Sequence, residues 1–125
     1  MPTGLATQRI VSLDAQVTDE TLGKFMDCTG YPYIVVYVKG STSGTISSGV
    51  VTIEEADWDK EVTPGGPGTD AWSSIQTVNG ADVTGGAQKA IHLAVGSYHF
   101  VRVRISTAIG GGGTVSAVII AQSVS

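Results

Sequence analysis

Cysteine and histidine are scarce in this chain of 125 residues, and charge is thin: one Cys, two His, and 14% Asp, Glu, Lys and Arg together. With Cys28 alone, no disulfide can close within the chain, so a scaffold stapled by disulfides is excluded. An unpartnered thiol of this kind defaults to a small buried hydrophobe and fits assembly in a reducing cytoplasm. His92 and His99 each fall inside a strand pattern, where a side chain fills an ordinary cross-strand position. Neither comes with the nucleophile and carboxylate that acyl transfer needs, and two His with a remote Cys make no zinc signature. No catalytic residue, metal or cofactor is expected, and the chain reads as not an enzyme.

Positive charge is lacking as well. The net charge is −4, whereas a phosphate-backbone binder carries a basic stripe, so nucleic acid is excluded as a partner. Glu54, Glu55, Asp57, Asp59 and Glu61, offset only by Lys60, account for the whole of it. Asp57 and Asp59 flank Trp58 without the shaped loop of about six to eight oxygens that calcium requires. The run reads as a solvated acidic loop. The opening MPTGLATQRI has no apolar core segment, so no signal peptide is expected. The apolar residues 115–121 are far too few to span a bilayer, which excludes a membrane partner and leaves a soluble chain of cytoplasmic origin. Long helical patterns are missing too: Thr18-Asp19-Glu20-Thr21-Leu22 has a capping look, but Gly23 ends it after about one turn.

Glycine is what the chain has in excess, 17 residues, about twice the usual share, and with prominent Val, Ile and Thr it suits short strands joined by turns. The clearest strand is Tyr98-His99-Phe100-Val101-Arg102-Val103-Arg104-Ile105-Ser106. Its Val101, Val103 and Ile105 face one way, Arg102, Arg104 and Ser106 the other, so it has one dry face and one wet one. Residues 90–95 precede a Gly96-Ser97 turn, and residues 114–121 follow four glycines, which predicts an antiparallel meander over 90–121. Gly110 to Gly113 join two strands and lack a following Lys-Ser/Thr and helix, so they read as a hairpin tip and no phosphate loop.

Upstream, residues 8–17 and 24–29 are candidate strands. Tyr31-Pro32-Tyr33-Ile34-Val35-Val36-Tyr37-Val38-Lys39-Gly40 is apolar on both faces in its middle, as a central strand of a sandwich is, with Pro32 at its start. Residues 41–49 are a loop or exposed edge, 50–54 a strand, 64–68 a Pro/Gly break, and 71–78 a strand before turns at Asn79-Gly80 and Thr84-Gly85-Gly86. About eight strands with turn signals every ten or so residues predict an all-β antiparallel sandwich over one domain, 1–125, with residues 1–7 a flexible amino-terminal arm. Periodicity does not report strand order, so jelly-roll and immunoglobulin-like sandwiches both remain open.

The aromatic residues are candidates for recognition. Trp58, Trp72, Tyr31, Tyr33 and Tyr37 suit a stacking platform for sugars, although Tyr37 is mid-strand and Trp72 opens a strand, positions typical of core or core edge. Tyr31, Tyr33, Trp58 and Trp72 are the candidate partner-interface residues, because aromatics are enriched in interface cores.

The run Gly30 to Gly40, then Val50-Val51-Thr52-Ile53-Glu54-Glu55 before a loop ending at Ala71-Trp72, and finally Tyr98 to Ser106 with the glycine-led Thr114 to Ala121, resembles small virion proteins of tailed bacteriophages. Within these the head decoration or cement proteins are the nearest class, and the resemblance covers most of residues 24–122 as a pattern of strands and glycines. It implies a jelly-roll-like sandwich in preference to an immunoglobulin-like one. It also implies a structural role on the outer surface of the phage head, the major capsid protein as partner, and a trimeric or dimeric assembly. No catalytic residues come with it. Residues 54–70 are longer than a simple hairpin, a departure that bears on which surface meets the capsid. The runner-up expectation is a carbohydrate-binding or host-recognition module of a phage appendage.

Overall fold

The architecture comes from a computed structural model, which describes residues 7–18, 25–28, 30–56, 72–93 and 100–122. The expectations that fall on residues 1–6, on the short capped segment 18–22 beyond Thr18, on Asp57, Trp58 and Asp59, on the Pro/Gly break and on the Gly96-Ser97 turn with His99 lie outside the described residues.

Eight strands are described: β1 Thr7–Gln16, β2 Phe25–Asp27, β3 Tyr33–Gly40, β4 Ser48–Ala56, β5 Trp72–Asn79, β6 Gln88–Leu93, β7 Phe100–Gly110 and β8 Val115–Gln122, with a 3-10 segment at Gly80–Gly86. They pair as a nested set, β1 with β8, β2 with β7, β3 with β6 and β4 with β5, all antiparallel. Two further pairings, β3 with β8 and β4 with β7, join these into a first sheet, β1-β8-β3-β6, and a second, β2-β7-β4-β5. Nested pairing is a long hairpin rolled over on itself, the jelly roll. The immunoglobulin-like alternative, whose sheets split the chain differently, is set aside.

The predicted meander over residues 90–121 is corrected. β6, β7 and β8 are consecutive yet unpaired: β6 lies beside β3, β7 between β2 and β4, β8 between β1 and β3. Residues 111–114 are therefore a crossing between sheets and not a hairpin tip. Period-2 alternation reveals that a strand has a buried face, but every backbone offers the same ladder of donors and acceptors, so adjacency in sequence misleads about adjacency in the sheet. The alternation itself holds. Val101, Val103 and Ile105 are at most 3% exposed and meet Val36, Val38, Ala117 and Ile119 of the first sheet in one core.

Ser12 ties the two layers together. β2 ends its pairing with Phe25 opposite Arg102, and beyond it the buried Ser12 hydroxyl of β1 accepts from the Val103 N–H at 2.9 Å and donates to its carbonyl at 3.3 Å. One end of the sandwich is plugged by Ile46 and Val83, around which glycines let backbone segments close up; Gly40, for example, lies directly against the Val83 carbonyl.

Candidate functional site

Among the described residues the two sheets present four edges and two outer faces, and the edges are blunted. β1 carries register shifts after Val11 and Leu13, with Ala15 at φ 51° in the left-handed region. β2 has three residues. β5 carries an extra residue, Ile75, between Ser74 opposite Glu54 and Gln76 opposite Ile53. β6 is regular, but Lys89 sits opposite the inward-facing Val38, which places an exposed cation on the inner side of the rim. Bulges, short strands and inward-pointing charges all hinder edge-to-edge pairing.

The outer face of the second sheet is occupied by its own side chains. The Arg102 Nε donates to Glu54 Oε1 at 2.8 Å, and Arg104 Nη1 lies 3.6 Å from Glu54 Oε2. Cross-strand register explains the geometry, since Glu54 is directly opposite Arg102 and two residues along, on the same face, from Thr52 opposite Arg104. The Arg102 guanidinium also stacks 4.3 Å from the Trp72 ring, which tilts against Phe25 at 5.9 Å between centroids, and Phe25 meets Phe100 edge-on at 5.3 Å. Roofed in this way, the Glu54 side chain is only 9% exposed, which corrects the expected solvated acidic loop at its start: Glu54 and Glu55 belong to β4, where pairing with β7 draws Glu54 under the arginines. Thr52 and Ser106 share a 2.6 Å hydroxyl hydrogen bond in the next row.

The outer face of the first sheet is different. Read across β1, β8, β3 and β6, its rows are Thr7, Gln122 and Tyr33, then Arg9, Ile120, Val35 and His92, then Val11, Val118, Tyr37 and Ala90, with Ser116, Lys39 and Gln88 closing it. Val11 is 37% and Tyr33 41% exposed, while Val35, Tyr37, Val118 and Ile120 are half-buried against one another. On this face lies an open depression of about 410 Å³, lined by Tyr33, Val35, Tyr37, His92, Ile120 and Gln122 among others.

The sequence candidates are thereby separated. Tyr33 and Tyr37 share the first sheet's outer face, Trp72 lies on the opposite face under Arg102, and Tyr31 packs against the core. The tyrosines and Trp72 thus form no common stacking platform; Trp58 lies outside the described residues. Cys28 is buried as expected, 1% exposed, and burial together with the Asp27 charge pushes its thiol from the ordinary 9.0 up to about 12. His92 is exposed on β6 opposite Val35. Among the described residues no group of three His, Cys, Asp or Glu is placed to hold a metal, and no helix is long and apolar enough to cross a membrane.

The Glu54–Arg102 pair leaves no trace in the sequence, because its members are 48 residues apart. The apolar outer face does leave one: Val35 and Tyr37, like Val118 and Ile120, break the apolar/polar alternation. Reading that break as burial on both sides misses an apolar face open to solvent.

No protein-family model and no curated protein sequence matches the chain. Solved structures do share its fold. The SPBc2 prophage-derived protein YomS superposes with a TM-score of 0.57 at 11% identity, covering 96% of this chain and 97% of that one. The PBSX exported protein XepA superposes with a TM-score of 0.62 at 17% identity over 98% of this chain, which spans 40% of XepA. A family 29 carbohydrate binding module reaches a TM-score of 0.41 at 9% identity, over 94% of this chain and 90% of that one, too distant to carry an argument. At these identities the likeness is one of fold.

Proposed function

We propose that this chain is a structural protein of a tailed-bacteriophage particle that decorates the capsid shell and stabilises it by docking across neighbouring major capsid protein subunits. The observation that carries this reading is the end-to-end match in fold to a prophage-derived protein, 96% of this chain on 97% of YomS. The blunted edges support it, since they disfavour strand addition and leave face-to-face burial as the mode of contact. Docking of this kind needs no chemistry. Each copy removes apolar surface from water at roughly 25 cal/mol per Å², and repetition over a symmetric shell, as trimers or dimers, multiplies modest contacts through effective concentration. The assembly would sit on the outer surface of the head.

Light scattering and co-sedimentation with purified capsids of the encoding phage test this. The expected outcome is stoichiometric co-sedimentation with the shell. A monomer that stays in the supernatant at every capsid concentration overturns it.

One observation favours a second reading, a carbohydrate-binding module of a phage appendage. The depression on the first sheet combines two tyrosines with His92 and Gln122, an apolar floor with hydrogen-bonding walls. Specific binding on a glycan array, lost in Tyr37→Ala, would favour it over the capsid reading.

A further inference from the structure

We infer that the outer face of the first sheet is the docking surface, and that it seats on an apolar patch bordered by carboxylates on a protein that repeats the patch many times. The inference rests on the capsid reading and names the surface through which it operates.

The face carries adjoining apolar side chains that the strand pattern leaves uncovered among the described residues. Val11, Val35, Tyr37, Val118 and Ile120 occupy adjoining positions in two consecutive rows that run from β1 to β3. Among the described residues the opposite face has no equivalent, because Trp72, Phe25 and Phe100 are engaged with one another and with Arg102. Apolar residues on a wet sheet face gain nothing from solvent, and a contiguous patch of them marks an interaction site.

Area and charge select the occupant. Four strands about 4.8 Å apart and three side-chain rows about 6.7 Å apart span roughly 400 Å². Pressed against its own copy, such a face buries about 800 Å² in total, short of the roughly 1,200–2,000 Å² of a specific stable interface. A self-dimer through this face is therefore too small to persist. The same contact suffices where copies joined in the proposed trimer or dimer bind a common surface together, because each further contact is then intramolecular. The charges agree. Arg9 and Lys39 are exposed on this face; the rows from Thr7 to Ala90 carry no carboxylate, and the closing row that supplies Lys39 is flanked on β1 by exposed Asp14 beyond the bulge, so the described face keeps one cation in excess. A second copy would add the same excess to the contact. A partner with an acidic rim would neutralise it.

The test uses the full chain and purified capsids of the encoding phage. Val118→Thr combined with Ile120→Thr keeps both residues β-branched while placing hydroxyls in the centre of the face. Arg9→Glu reverses a rim charge on an exposed position, and Thr77→Lys on the second sheet's outer face is the control. Thermal unfolding confirms that each variant folds. The expected result is a loss of capsid affinity of about tenfold or more for the double variant. Weakening by Arg9→Glu and wild-type binding by Thr77→Lys are also expected. Folded face variants that sediment with capsids as wild type does would overturn the inference while leaving the capsid reading intact. A stable wild-type dimer in solution that the double variant dissociates overturns it as well, since the occupant is then a second copy. Wild-type protein that ignores capsids removes both together.

Discussion

At the scale of single residues, the side chains that matter most are the polar ones the sandwich closes over. Glu54 carries a charge at 9% side-chain exposure, held by Arg102 at 13% and, more loosely, by Arg104 at 39%. Removing the carboxylate would leave the Arg102 guanidinium without its charged partner in a largely desolvated place. Glu54→Ala is expected to cost about 3 kcal/mol in urea unfolding. Cys28 makes a different prediction. Its thiol keeps its proton up to about pH 12 in the fold, against 9.0 ordinarily. Between those values the unfolded chain binds fewer protons than the native one, so this contribution is intact below about pH 9 and falls away as pH rises toward 12. The difference in stability between wild type and Cys28→Ala should therefore shrink over that window. The native thiol should also resist alkylating reagents until the protein is unfolded.

At the scale of elements, the strands are placed by how closely they approach one another. Gly40 ends β3 with its Cα against the Val83 carbonyl and the Ile46 side chain, so a methyl group there has no space to occupy. Gly40→Ala is expected to cost about 1–3 kcal/mol by overpacking, read as a lowered midpoint in thermal unfolding. Gly85, which has open space around its Cα but φ of 71°, would instead suffer through backbone conformation alone. The edges show the same economy of means. The inward-pointing Lys89 occupies the rim of the one regular edge strand, and Lys89→Val should leave stability little changed while raising the rate of self-association, measured by light scattering at fixed concentration.

At the scale of the whole molecule, nested pairing sets the kinetics. β1 is hydrogen-bonded to β8, with Thr7 opposite Gln122, so nearly the entire chain must be gathered before that ladder closes. Loop closure over such separations is entropically costly, and folding is expected on the order of milliseconds to seconds rather than microseconds, as stopped-flow refolding would show. The same roll gives the molecule two unlike faces. One is consumed by internal aromatic and ionic contacts, the other is apolar and open, and that asymmetry is what makes a one-sided docking protein physically reasonable.

The sequence by itself determined the class of structure and the composition of the core. Period-2 alternation in residues 100–106 identifies a strand and its buried side, because burial acts on each side chain separately and leaves a local record, and the apolar run at 33–38 identifies a strand. Among the described residues the breaks expected at Gly30 and around Gly80 to Gly86 do separate strands, and the lone Cys28 was legible as a buried apolar residue for the same reason. Only the tertiary structure decided which strands are neighbours. Backbone ladders are alike in every strand, so β7 pairs with β4 and not with the strands before and after it in the chain. That choice brought Glu54 to Arg102 and parted Tyr33 from Trp72. It also left Val118 and Tyr37 on an open face that an apolar run alone does not distinguish from a buried one.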